Sequence, residues 1–145
     1  MPAAIVEARR ADLGAIGPQT FADERDRTRL TEVALKAFLA LIKAWDLSNA
    51  EASALLGVSA STLDRMKRGS HPILSQDQLT RVSALVGVYK GLHLLFADET
   101  GDEWARRPNS GPLFERDTPI QAMIEGGIPR MLEIRRYVDA VRGGL

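Results

Sequence analysis

Two histidines, one acidic run and one cluster of hydroxyl and cationic residues are the side chains in this sequence with the types to do chemistry. His71 and His93 lie in different segments, with no second imidazole at metal-ligand spacing, and cysteine is absent. That removes thiolate catalysis, disulfides and cysteine-ligated zinc together. Asp98, Glu99, Asp102 and Glu103 lack the spacing of a calcium loop and read as a solvated connection between helices. His93 sits among Leu92, Leu94 and Leu95, the setting of a helix-face or core histidine rather than of a base. Neither a phosphate-binding glycine loop nor a nucleophile elbow is present. The pattern predicts a non-enzyme that needs no metal and no cofactor. The remaining set, Ser59, Ser61, Thr62, Arg65, Lys67 and Arg68, offers hydrogen bonds and positive charge over one short stretch. That is the chemistry of nucleic-acid contact.

The composition is compatible with that reading only locally. Lysine plus arginine and aspartate plus glutamate both number 19, so the formal net charge is zero, and 45% of the residues are hydrophobic. A nucleic-acid-binding domain ordinarily carries a basic surplus. Screening over about 8 Å makes phosphate attraction a local matter, however, and Arg65, Lys67 and Arg68 outnumber Asp64 in their segment. No apolar run is long enough for a signal peptide or a membrane span, which predicts a cytoplasmic protein with no membrane partner. At 145 residues the chain can form one compact domain or two small helical units that share a core.

The elements that must position these residues are all helical. Residues 1–26 have no sustained periodicity, with Gly14, Gly17 and Pro18 interrupting, and read as a flexible N-terminal arm with room for one short helical turn. From Thr28 to Trp45, Leu30, Val33, Ala34, Ala37, Phe38, Leu41 and Ile42 mark one face of a helix. Ser48 with Glu51 forms a capping-box pattern before a short helix Asn49–Leu56, which Gly57 ends. Ser59 caps a second short helix from Ala60 to about Arg68. Ser75 with Gln78 opens a third long helix, whose apolar side runs from Leu79 to Phe96. Asp98–Gly101 is read as its break. Beyond Trp104 the chain turns through Pro108–Pro112, and Thr118 caps a helix with Pro119 at its first position. Gly126-Gly127 ends that helix and Pro129 starts the last one.

The segment from Ser48 to Gly69 has the plan of a helix-turn-helix. Ala52 and Ser53 are small enough for close helix approach, and Gly57 supplies the backbone conformation of a tight turn. Val58, Leu63 and Met66 are spaced to pack back on the first helix. The segment resembles the Xre-like class of repressor domains over roughly Thr28–Phe96. In that reading Ala60–Arg68 enters the major groove, Ser59, Ser61 and Thr62 reach base edges or phosphates near its start, Arg65 pairs with guanine, and Lys67 and Arg68 hold phosphates. Such repressors bind paired half-sites as dimers, so a homodimer is expected, with Thr28–Trp45 and Ser75–Phe96 as candidate interfaces.

The last third of the chain carries Trp104, Pro108-Asn109, Leu113, Thr118-Pro119, Gly126-Gly127 and Gly143-Gly144 in an order that generic packing does not explain. It resembles the C-terminal toxin-binding domain of the Xre/MbcA/ParS antitoxins. Glu115-Arg116 departs from the small pair that family members typically have there, so the turn after Phe114 is expected to differ. The resemblance implies an all-α protein with three parts. These are an N-terminal arm (1–26), an Xre-like helix-turn-helix and dimerisation domain (27–97) and a small helical toxin-binding domain (98–145). It implies an antitoxin of a type II pair whose partner is a RES-type, ADP-ribosyltransferase-like toxin, with the C-terminal segment blocking the toxin's NAD site. Trp104, Asn109, Arg135, Arg136, Arg142, Gly143, Gly144 and Leu145 are the residues it assigns to toxin contact. Operator DNA is the second expected partner. A stand-alone transcriptional regulator and a purely protein-binding module are the competing readings.

Overall fold

The computed structural model describes residues 1–10, 20–115 and 117–143. All regular structure among them is helical: α1 (Ala3–Arg10), α2 (Glu24–Ala44), α3 (Asn49–Leu56), α4 (Ala60–Lys67), α5 (Gln76–Leu95), α6 (Asp98–Trp104) and α7 (Pro119–Gly143). None of these helices is long and apolar enough to cross a membrane.

α5 is the central element. Ser75 and Gln78 close its capping box, the Ser75 Oγ accepting from the Gln78 amide at 3.1 Å and the Gln78 side chain accepting from the Ser75 amide at 3.0 Å. From Val82 to Tyr89 every residue is buried, so α5 is enclosed all round over that stretch. α2, α6 and α7 pack on it most extensively, with α1 and α3 completing the shell. Of the expected dimer segment Ser75–Phe96, the middle is enclosed within the chain, while Leu94 and Phe96 at its end remain exposed.

α2 starts earlier than its apolar periodicity predicts. Asp23 caps it by accepting from the Arg25 amide at 2.8 Å, and Glu24 and Asp26 suit the positive end of the helix dipole. The irregular arm expected for residues 1–26 is also corrected at its start. Ala3–Arg10 form α1, and Ile5 and Ala8, one turn apart, are fully buried in its packing against α2 and α5. Two apolar positions are too few to show a period, and so short a helix forms only because tertiary packing holds it. Phe21 joins the same core at 1% exposure. The Gly14, Gly17 and Pro18 interruptions lie outside the described residues.

α5 ends at Phe96, where the backbone becomes extended, rather than at Asp98–Gly101. Asp98 and Glu99 instead begin α6, where acidic side chains favour the helix N-terminus. Asp98 and Asp102, one turn apart, both face His93: Nδ1 lies 2.7 Å from Asp98 Oδ1 and Nε2 lies 2.9 Å from Asp102 Oδ1. The imidazole is 1% exposed and lies 4.1 Å from the Tyr89 ring. The acidic run is therefore a short helix docked on α5 through His93, with Asp98, Glu99 and Glu103 still exposed to solvent as expected. One hydrophobic core runs from Ile5 to Val138 across all of these elements. The core is continuous across the expected division at 97/98.

Gln121 donates its amide to Thr118 Oγ1 at 3.1 Å, the cap the sequence predicts for α7. Gly127 (φ 63°, ψ −154°) interrupts α7 where the Gly-Gly pair predicts a break. The second half of α7 runs along α5 at close range because α5 presents Gly87 and Gly91 to it. A Cβ on Gly91 would collide with Val138 Cγ1, and one on Gly87 would lie 2.5 Å from Arg135 Nε. Val138 is branched and buried, so it cannot withdraw as a long side chain can. Gly91→Ala should therefore lower stability by about 1–2 kcal/mol, the overpacking cost exceeding the gain in helix propensity. Denaturant unfolding checks this, and the Gly91→Ala/Val138→Ala pair should be more stable than the sum of its single changes predicts.

Candidate functional site

The α3–turn–α4 unit is built by three local devices. Ser48 and Glu51 cap α3 reciprocally, the Glu51 amide donating to Ser48 Oγ at 3.1 Å and the Ser48 amide donating to Glu51 Oε1 at 2.9 Å. Gly57 takes the left-handed conformation (φ 75°) that turns the chain, and a Cβ there would also crowd Arg81. Ser59 then caps α4, accepting from the Thr62 amide at 3.1 Å. Leu63 and Met66 are buried and Val58 packs on the same core, as their spacing predicts.

Burying Leu63 and Met66 turns the opposite face of α4 outward. Ser59, Ser61, Arg65, Lys67 and Arg68 are exposed and Thr62 is half-buried. The structure thus brings the whole predicted nucleic-acid set onto one free surface. Its members also touch. Ser59 Oγ lies 2.9 Å from Thr62 Oγ1 and 3.2 Å from Ser61 Oγ, and Arg65 Nη2 donates to Thr62 Oγ1 at 3.1 Å. Lys67 Nζ reaches back to Asn49 Oδ1 of α3 at 2.5 Å. Hydroxyls and cations on one solvent-facing helix can meet phosphate oxygens and base edges together.

The residues assigned to toxin contact do not form one patch. Trp104 is half-buried, its ring edge-on to Phe114 with centroids 5.6 Å apart and an interplanar angle of 87°. Asn109 shapes the Pro108–Pro112 turn, its Oδ1 accepting from the Gly111 amide at 2.8 Å and its own amide donating to the Asp117 carbonyl at 3.0 Å. Arg135 lies across Gly87 of α5 and reaches the Ser83 carbonyl at 3.5 Å, so it belongs to the α5–α7 seam. Arg136 is exposed, Arg142 pairs with Asp139 at 3.7 Å, and Gly143 is the exposed last residue of α7. Gly144 and Leu145 lie outside the described residues.

Sequence reasoning missed two features of this region. Phe114, 2% exposed, anchors the turn between Trp104 and Tyr137, with its ring 5.8 Å from Tyr137. Phe96, Tyr137 and Val141 remain exposed and line an apolar cleft with Trp104 at the joined ends of α5 and α7. An isolated phenylalanine among turn residues has no periodic signal, and the cleft exists only because α7 runs beside α5.

Residues 24–87 match the family described as the antitoxin Xre-like helix-turn-helix domain. The "Uncharacterized protein y4oB" of Sinorhizobium fredii (strain NBRC 101917 / NGR234) is 33% identical over 112 residues, which are 76% of this chain and 84% of that protein. The chain belongs to the family of that protein. Its helix-turn-helix is of the antitoxin Xre-like type. The Xre-like match begins with α2 and ends within α5, so it covers the helix-turn-helix, all of α2 and the first part of α5.

One charge in the Xre-like domain is held from outside its matched residues. Arg106 donates Nη2 to Glu51 Oε1 at 2.8 Å, and this hydrogen bond holds the Glu51 carboxyl below its ordinary value. Partial burial pushes the other way, and the Ser48 amide adds to the lowering. Because the folded value is depressed, this contribution is complete above about 4.5, the unfolded value, and is lost as pH falls through the folded value. Glu51→Gln keeps the capping acceptor and removes the charge. Unfolding measured from pH 7 to pH 3 should show wild type more stable at neutral pH, with the difference shrinking to nothing in acid.

Proposed function

We propose that the protein is the antitoxin of a type II toxin–antitoxin pair that also represses its own genes. The observation that carries this is the Xre-like antitoxin domain with a recognition helix whose hydroxyl and cationic face is free. α4 enters the major groove. Ser59, Ser61 and Thr62 contact base edges or phosphates at its start, Arg65 reads guanine, and Lys67 and Arg68 hold the backbone. A homodimer presents two such helices about 34 Å apart, one turn of DNA. With α5 enclosed over its middle, the outward side of α2 is the better candidate for that contact.

The second partner is a RES-type, ADP-ribosyltransferase-like toxin, bound and blocked at its NAD site by the C-terminal region. Support comes from the order of motifs after Trp104 and from the surface they leave open. The apolar cleft of Phe96, Trp104, Tyr137 and Val141 is flanked by the exposed Arg136 and by Arg142, and aromatic residues with arginine are what protein interfaces favour. Asn109 keeps the turn beside it in shape. Arg135 lies in the α5–α7 seam against Gly87 and the Ser83 carbonyl. Gly143, Gly144 and Leu145 are the tail assigned to the cleft of the toxin.

The role is binding rather than catalysis in the cytoplasm. His93, the one histidine with carboxylate neighbours among the described residues, has both ring nitrogens on Asp98 and Asp102 and is shut away from solvent.

Co-expression with the adjacent open reading frame tests the antitoxin reading. Wild type should co-purify with that product and restore growth, and a chain lacking Arg142–Leu145 should lose the rescue. Rescue that survives the deletion would move inhibition to the Trp104–Tyr137 surface, and no complex at all would favour a stand-alone regulator. For the DNA arm, Arg65→Ala should weaken binding to a duplex from the upstream region of its gene by about tenfold or more and relax preference at one base pair. Uniform weakening across sequences would instead make Arg65 a phosphate contact.

A further inference from the structure

We propose that Arg106, which lies outside the helix-turn-helix, is a positioning residue for DNA contact by Lys67, acting through Glu51 and Asn49. The inference rests on the reading of α4 as a DNA-binding helix.

Arg106 is a fixed point. The preceding Ala105 is fully buried and its carbonyl accepts from the Ile120 amide at 3.1 Å, tying the end of α6 to the start of α7. From there the guanidinium reaches the corner between α2 and α3. Nε donates to the Trp45 carbonyl at 2.5 Å and Nη2 to the Asp46 carbonyl at 2.5 Å. These carbonyls follow the last turn of α2, where a helix leaves acceptors without internal partners. Asp46 sits at φ 50°, a left-handed conformation that a residue with a side chain adopts only when its surroundings impose it. The same guanidinium grips the Glu51 carboxylate with both terminal nitrogens, at 2.8 and 3.5 Å.

Glu51 carries that hold into the DNA-binding unit. Its Oε1 also accepts the Ser48 amide, so the residue fixed by Arg106 is the one that closes the cap of α3. Asn49, the first residue of α3, takes the Lys67 ammonium of α4 on its Oδ1 at 2.5 Å. Lys67 has a long, flexible and exposed side chain, and an ammonium on such a stem is a loosely placed charge without an anchor. Arg106 sets the N-terminus of α3, and that N-terminus sets where the charge of Lys67 stands. Arg106 and Lys67 have no hydrogen bond or ion pair to one another among those the structure gives, so coupling between them must pass through α3.

A double-mutant cycle in DNA affinity tests this, with the full chain and a duplex covering the region immediately upstream of its gene as probe. Anisotropy titrations over a range of salt would compare wild type, Lys67→Gln, Arg106→Gln and the double variant. Lys67→Gln should weaken wild-type binding about fivefold and lower the salt slope by about one. In the Arg106→Gln background it should cost less than about twofold, and Asn49→Ala should abolish the Lys67 effect in the same way. Costs that add within about twofold would overturn the proposal, since independent stabilising contacts, or a direct contact of Arg106 with phosphate, give additive effects. If Arg106→Gln does not fold, Arg106→Lys keeps the charge, loses the planar fork and is read by the same criterion. A wild-type chain that does not bind the duplex at any salt refutes the DNA-binding reading, and the proposal falls with it. Additivity refutes the proposal alone.

Discussion

Because α5 is buried on every side from Val82 to Tyr89, each neighbouring helix must lay an apolar stripe on it, and their mutual placement follows from that. α2 supplies its stripe from Leu30 to Leu41, and α7 supplies Met131, Ile134 and Val138. The glycines at 87 and 91 decide how near α7 comes. A closer approach increases dispersion contact along the seam, where the α7 side chains Arg135 and Val138 fill the space that Gly87 and Gly91 leave. The helix-turn-helix and the C-terminal region are consequently two faces of one core.

Polar contacts then fix the elements that apolar packing leaves adjustable. α6 is too short to be held by its own stripe, and the paired contacts of Asp98 and Asp102 with His93 give it one register on α5. Just past the end of that helix, Arg106 joins the corner after α2 to the cap of α3. Buried or half-buried charges cost free energy unless they are partnered, so such groups specify one arrangement more sharply than apolar contact does. Both seams are made by the segment that follows α5, and both act on elements that precede it.

The proposed antitoxin role asks the chain to present two unrelated surfaces without letting either disturb the core. The proposed DNA face on α4 is polar, outward and free of core duties because Leu63 and Met66 carry the packing. The proposed partner face lies at the ends of α5 and α7, where Phe96, Tyr137 and Val141 remain in solvent. The shared core gives a physical route by which one surface can register the other, and the reach of Arg106 to Glu51 is a specific link along it.

Much of this was legible in the sequence. The helix caps at Ser48, Ser59, Ser75 and Thr118, the turn at Gly57, the break at Gly127 and the buried side of α2 all follow from local rules. Each depends on side chains within a few residues of the backbone groups they satisfy. The outward set on α4 was legible for the same reason, as the complement of Leu63 and Met66. What the sequence could not show is what long-range contact decides. α1 forms because Ile5 and Ala8 find α2 and α5, and Arg135 turns inward because Gly87 leaves a space. Arg106 looks like any surface arginine until the fold brings Trp45, Asp46 and Glu51 to it. Local hydrogen bonding and periodicity determined the elements and their polar faces. Only the tertiary structure decided which charges are held within the molecule and which stand outward, since that depends on residues far apart in the chain, such as Arg106 and Glu51, being brought within hydrogen-bond reach.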